Sequence, residues 1–186
     1  MRFRHAIAAT TLAALAAPAA AGAHATVTPM QPQGSALTAA RTLYVLRVPN
    51  ERPDTDTFRV TLRVPRAVQG AISLAKKPGW DVKLRRRNTG ERDEAGNAVR
   101  AITRITWTAR RGSEIEPSFF DDFLIRFQNP ATPRTLCFPV DQTYGEMRRV
   151  RRGGKTVLVR RTTETVRWTG PESSDTPASC VDVVAG

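Results

Sequence analysis

The sequence predicts an all-β protein, a β-sandwich of six to eight short strands. Two observations carry this. No stretch after residue 24 holds a helical period of useful length; apolar residues alternate with polar ones or form short runs instead. Pro, Gly and Asn punctuate those runs at the intervals expected of strands and turns.

The first segment is not part of the domain. MRFRHAIAATTLAALAAPAAAGA opens with Arg2 and Arg4, continues as an alanine-rich apolar run, and ends in Ala21-Gly22-Ala23. A positive start, a short apolar run and an A-x-A site read as a secretory signal peptide, too short for a membrane span. Residues 1–23 are therefore expected to be removed, with cleavage between Ala23 and His24. That leaves 163 residues for one domain over 24–170 and a tail over 171–186. The product is expected to be periplasmic or extracellular, with no membrane anchor.

The strands follow in order. Arg41 to Pro49, RTLYVLRVP, is nearly continuous and apolar and suits a central strand. Thr57 to Pro65, TFRVTLRVP, alternates, with Phe58, Val60, Leu62 and Val64 on one face. Trp80 to Arg86 and Val99 to Ala109 read as a hairpin with a long polar tip. Phe119 to Phe127 is a further strand, stopped by Asn129-Pro130, and Leu136 to Val140 a short one. Thr156 to Val159 and Thr162 to Trp168 read as the arms of a final hairpin. From Pro171 the chain reads as tail.

Cys137 and Cys180 are the only cysteines. An even count in an exported chain points to a disulfide rather than a metal or redox pair, there being no C-x-x-C spacing. The bond would close a loop of roughly 40 residues, stabilise by about 3–4 kcal/mol on a loop-entropy basis, and tie the tail to the domain.

The net charge of +12 falls to +10 once Arg2 and Arg4 leave. So basic a chain invites a nucleic-acid partner, but export argues against one. The clusters Arg85 to Arg87, Arg148 to Arg152 and Arg160-Arg161 read as solvated faces, with attraction to anionic surfaces as the weaker functional reading.

A count then excludes much chemistry. The chain has two histidines, His5 and His24, and His5 leaves with the signal. A three-histidine zinc site, a blue-copper site and a two-histidine brace all need more. A serine triad would have to place its base at the chain's first residue. Asp121 and Asp122 are adjacent on a strand and face opposite ways, unlike an acid/base pair. What remains is His24 as a first residue. Its free amine and ring Nδ1 can close a chelate on one metal, and nitrogen ligands favour Cu(II).

His24 begins HATVTP, followed by VLRVPNE ending at Glu51, PGW at Pro78 to Trp80, ITWTA at Ile105 to Ala109, FQNP at Phe127 to Pro130 and VRWTGPE at Val166 to Glu172. In this order and spacing the chain resembles the YcnI-like family of exported bacterial copper-binding proteins. The resemblance implies a cupredoxin- or fibronectin-like sandwich with a mono-histidine brace. It implies His24 and Glu51 as ligands, with Trp168 beside the metal. Trp80 and Trp107 read as core aromatics. Met30 and Met147 are too scattered for a methionine-rich Cu(I) site. The expectation is a Cu(II)-binding protein that stores copper or passes it to another copper protein, and is not an enzyme. A copper-dependent redox enzyme and a metal-free adhesion or scaffolding sandwich remain the alternatives.

Overall fold

A computed structural model describes residues 24–30, 35–68 and 70–186. The expected signal peptide over 1–23 lies outside the described residues. Among those residues the chain forms twelve strands and no helix. They are β1 (Thr26–Pro29), β2 (Ala36–Leu37), β3 (Arg41–Pro49), β4 (Asp56–Arg63), β5 (Ser73–Leu74), β6 (Trp80–Arg92), β7 (Ala98–Ala109), β8 (Phe120–Gln128), β9 (Arg134–Phe138), β10 (Val140–Arg152), β11 (Lys155–Trp168) and β12 (Ser179–Val184).

The strands form three sheets, ordered β1-β3-β8-β5, β11-β10-β4-β7-β6 and β2-β12-β9. Alternation creates the core between them. Tyr44, Leu46 and Val48 of β3 turn inward, as do Phe58, Val60 and Leu62 of β4, and Ile105 and Trp107 of β7. Rings bridge the layers: Trp107 of β7 lies 5.0 Å from Phe123 of β8, and Tyr44 of β3 lies 5.9 Å from Phe138 of β9. Trp80 meets Phe123 edge-on at 5.0 Å, so Trp80 and Trp107 are core aromatics. The all-β sandwich is that of the sequence reading, but it is built of twelve strands rather than six to eight, with the short β1, β2 and β5 added and the expected strand Leu136 to Val140 divided between β9 and β10.

Three elements depart from that reading. The polar tip after Trp80 is not a long loop: β6 and β7 stay paired out to Arg92↔Ala98, and the turn is Asp93 to Asn97. Asp93 closes it by accepting the Asn97 amide at 2.8 Å. The expected arms Thr156 to Val159 and Thr162 to Trp168 belong to one strand, β11, whose partner is β10. Their turn is Gly153-Gly154, both at positive φ, between the paired Arg152 and Lys155. The segment after Pro171 carries β12, which pairs with β9 and β2.

Gly145 lets β10 pass close to its neighbours. A Cβ there would meet the Arg161 carbonyl and approach a Phe58 ring carbon to 2.7 Å. The ladder changes register at this point, between Tyr144 and Gly145. The disulfide joins Cys137 and Cys180, directly opposed in the β9–β12 pair. Asp121 and Asp122 pair with different cations, Lys77 and Arg47, as side chains on opposite faces must.

Candidate functional site

β1 is only four residues long, and three anchors hold it. It pairs antiparallel with β3, Thr26 opposite Arg47 and Val27 opposite Leu46. Ala25 and Val27 are buried. The Val27 amide donates to Ser179 Oγ of β12 at 2.8 Å, and that hydroxyl donates back to the Val27 carbonyl. Extending the register backward brings His24 level with Pro49, the last residue of β3, just before Asn50 and Glu51.

His24 is half-buried, and its ring lies 5.2 Å from the Trp168 ring at an interplanar angle of 48°. Trp168 is fixed from behind. Its indole N–H donates to Gln142 Oε1 at 3.0 Å, and Gln142 Nε2 donates to the Pro49 carbonyl at 2.7 Å and to Thr57 Oγ1 at 2.8 Å. Gln142 is fully buried, so this network determines how the indole sits. The indole edge is committed to Gln142, which leaves the ring as the surface that meets His24.

Asn50 shapes the turn that carries Glu51. Its buried amide donates to the carbonyls of Thr55 and Ile115, each at 2.8 Å, and its Oδ1 accepts the Arg52 amide at 2.9 Å. Glu51 is exposed on this turn, and its charge reaches the Tyr144 hydroxyl. Arg52 holds Glu164 at 3.0 Å and lies 5.5 Å from the Tyr144 ring centroid. Burial foremost pushes the Tyr144 hydroxyl up to about 12. Arg52 and a hydrogen bond with Thr57 oppose that rise; Glu164 and Glu51 add to it.

One end of the sandwich thus gathers His24, Trp168, Gln142, Tyr144 and the Asn50 turn. The His24–Trp168 contact is direct; Glu51 is tied to the group by its position after β3 and by its charge on Tyr144. Among the described residues, no three His, Cys, Asp or Glu side chains cluster in a way that could hold a metal. The ligands expected from the sequence, His24 and Glu51, would supply two side-chain donors, and a freed His24 amine would supply a third. That donor set, two nitrogens and a carboxylate oxygen, is chemically suited to Cu(II). The sequence reading missed Gln142, Tyr144 and Asn50. The pairing of β10 with β4 and β11 brings Gln142 to Thr57 and Trp168, and no local motif announces it.

No curated protein matches the chain. Among solved structures the chain is similar to an uncharacterized protein from Nocardia farcinica, whose crystal structure reveals an immunoglobulin-like fold. The two share 21% identity at a TM-score of 0.59, over 87% of this chain and 99% of the other, a likeness of fold. A family model described as a domain of unknown function, DUF1775, matches residues 24–182, from the half-buried histidine into β12. The chain belongs to that family, the domain of the YcnI-like proteins.

Proposed function

We propose that the protein is exported, is cut between Ala23 and His24, and binds one Cu(II) ion that it holds or passes on. The His24 amine and Nδ1 with the Glu51 carboxylate would be the ligands. The observation that carries this reading is the contact of the His24 ring with the Trp168 indole, 5.2 Å between centroids. The chain's only histidine outside residues 1–23 is packed on a buried tryptophan, at the end of the sandwich where Glu51 leaves β3. Copper bound there would be a cargo with open positions for water or a recipient's ligands. The chain's own residues do the rest. Gln142 orients the indole, Asn50 shapes the turn of Glu51, and β1 delivers His24.

The test is Cu(II) titration of the protein beginning at His24. One equivalent should bind, with nitrogen hyperfine structure in its electron paramagnetic resonance spectrum. An extra alanine before His24 converts the amine to an amide. Disturbing even an outer-shell partner of a metal costs roughly 10–100-fold in affinity, so loss of this ligand should cost at least as much. Unchanged affinity in that variant would eliminate the chelate.

A further inference from the structure

The outer face of the β11-β10-β4-β7-β6 sheet carries a second feature, independent of the copper reading. Buried Ile105 and Trp107 point inward from β7, so Arg104 and Thr106 between and beside them point outward. On β6, Lys83 and Arg85 share that outward face. Cross-strand pairing sets Lys83 opposite Thr106 and Arg85 opposite Arg104. These four residues line a depression of about 240 Å³. It runs into a broader trough of about 440 Å³ over Arg59, Thr61, Thr143 and the carboxylate of Asp141, which shares Lys83, Arg104 and Thr106.

Three properties make this more than a solvated face. Like charges directly opposed across a strand pair are destabilising, and Arg85 and Arg104 are so opposed. The face's acids do not relieve them: Asp141 is bound to Arg63 at 3.0 Å and Asp81 to Arg110. The floor is made of hydroxyls, with Thr61 and Thr106 oxygens 3.1 Å apart. A bulge ends the regular ladder at this point. β7 carries Thr103 as an extra residue between the Arg85↔Arg104 and Arg86↔Ile102 pairs, and Thr103 Oγ1 donates to the Arg85 carbonyl at 3.3 Å. Bulges concentrate at sheet edges, where β6 lies, and beside functional sites.

We infer that this trough binds a linear phosphate polymer, with Lys83, Arg85 and Arg104 neutralising its charge and Thr106 donating to its oxygens. Arginine's planar fork matches phosphate oxygens, and clustered cations gain affinity by releasing the polymer's counterions. Three neighbouring cations suit a run of anionic groups better than one. The trough lining has no aromatic ring to stack a base and no apolar side chain to enter a bilayer.

The probe is inorganic polyphosphate, titrated into the protein at several salt concentrations. The triple variant Lys83→Gln/Arg85→Gln/Arg104→Gln should bind at least tenfold more weakly, with a salt slope shallower by about 2. Arg148→Gln/Arg151→Gln/Arg152→Gln loses equal charge from the β10–β11 arm and should stay within twofold. Polyphosphate should raise the melting temperature of the native protein and leave that of the trough variant unmoved. Without polymer, Arg104→Gln alone should melt no lower than native, because it relieves the opposed arginines. Equal losses in both triple variants would reduce the effect to bulk charge and overturn the site. So would inorganic phosphate binding as tightly as the polymer, an oligonucleotide of equal charge binding more tightly, or phosphatidylglycerol vesicles binding where polyphosphate does not.

Discussion

Gln142 is the residue on which the His24 end of the molecule is organised. It accepts from one aromatic donor and donates to a backbone carbonyl and a hydroxyl, all in surroundings closed to water. A buried polar group left without its partner costs about 1–3 kcal/mol, more than the bond contributes when made. Gln142→Leu fills similar volume but strands the Trp168 indole N–H and the Pro49 carbonyl. Denaturant unfolding should show a loss of about 2–3 kcal/mol. The chain has three tryptophans, and Trp80 and Trp107 are packed on Phe123 instead. One of the three indole N–H resonances should therefore shift strongly while the other two hold. If the protein binds Cu(II) as proposed, its affinity should fall with that shift, because the group that orients the indole is gone. Three moved resonances would mean a general loosening and no special tie between Gln142 and Trp168.

At the scale of elements, the placement of His24 depends on a strand that could not stand alone. β1 is four residues long, and one of its ties runs through Ser179 at the start of β12. β12 in turn is fastened to β9 by Cys137–Cys180, so a covalent bond more than a hundred residues away supports the strand that follows His24. The separation of 43 residues corresponds to about 3–4 kcal/mol of loop entropy. Cys137→Ser/Cys180→Ser should lower stability by about that amount. Hydrogen exchange should report the route: the Val27 and Val181 amides should lose more protection than Leu46 in the middle of β3. Uniform loss at all three would show that β12 does not hold β1 in particular. The elements also show what a sequence pattern can reveal. The strand read at Arg41 to Pro49 from its nearly continuous apolar run has the bounds of β3, which is a central strand paired on both sides, although only alternate residues of it are buried. β10 escaped notice because beyond Gly145 it leaves the core, and arginines then occupy both of its faces. Gly153-Gly154 between two strand-like arms was the available signal, and a two-residue glycine turn is enough to predict that hairpin.

For the molecule as a whole, the alternation of apolar residues and the Pro, Gly and Asn between runs make the sandwich legible, and the histidine count singles out His24. The partners of His24 were less legible, because contacts such as Tyr144–Thr57 and Trp168–Gln142 arise only once three strands pair. The same long-range packing has a consequence that can be read in bulk. Tyr44 and Tyr144 are the chain's only tyrosines, and both are buried. Burial pushes the Tyr44 hydroxyl, which donates to Asn129 at 2.6 Å, up to about 12. Tyr144 is likewise raised to about 12, burial again leading. The ordinary value is 10.0, so between pH 10 and about 12 the folded chain holds two protons that the unfolded chain releases. Stability then falls as pH rises, because the unfolded state binds fewer protons in that window. Each tyrosine contributes a slope of up to about 1.4 kcal/mol per pH unit, and the contribution is fully present below pH 10. Tyrosinate absorbance should therefore stay low above pH 10 and then rise in one step together with loss of far-ultraviolet circular dichroism. Tyr44→Phe should halve the pH slope of unfolding free energy across that window. It should also cost about 1–3 kcal/mol at neutral pH, because Asn129 loses the donor to its carbonyl oxygen. A gradual rise of tyrosinate centred near pH 10, with the fold intact, would show that the phenols reach water and that the core does not close over them.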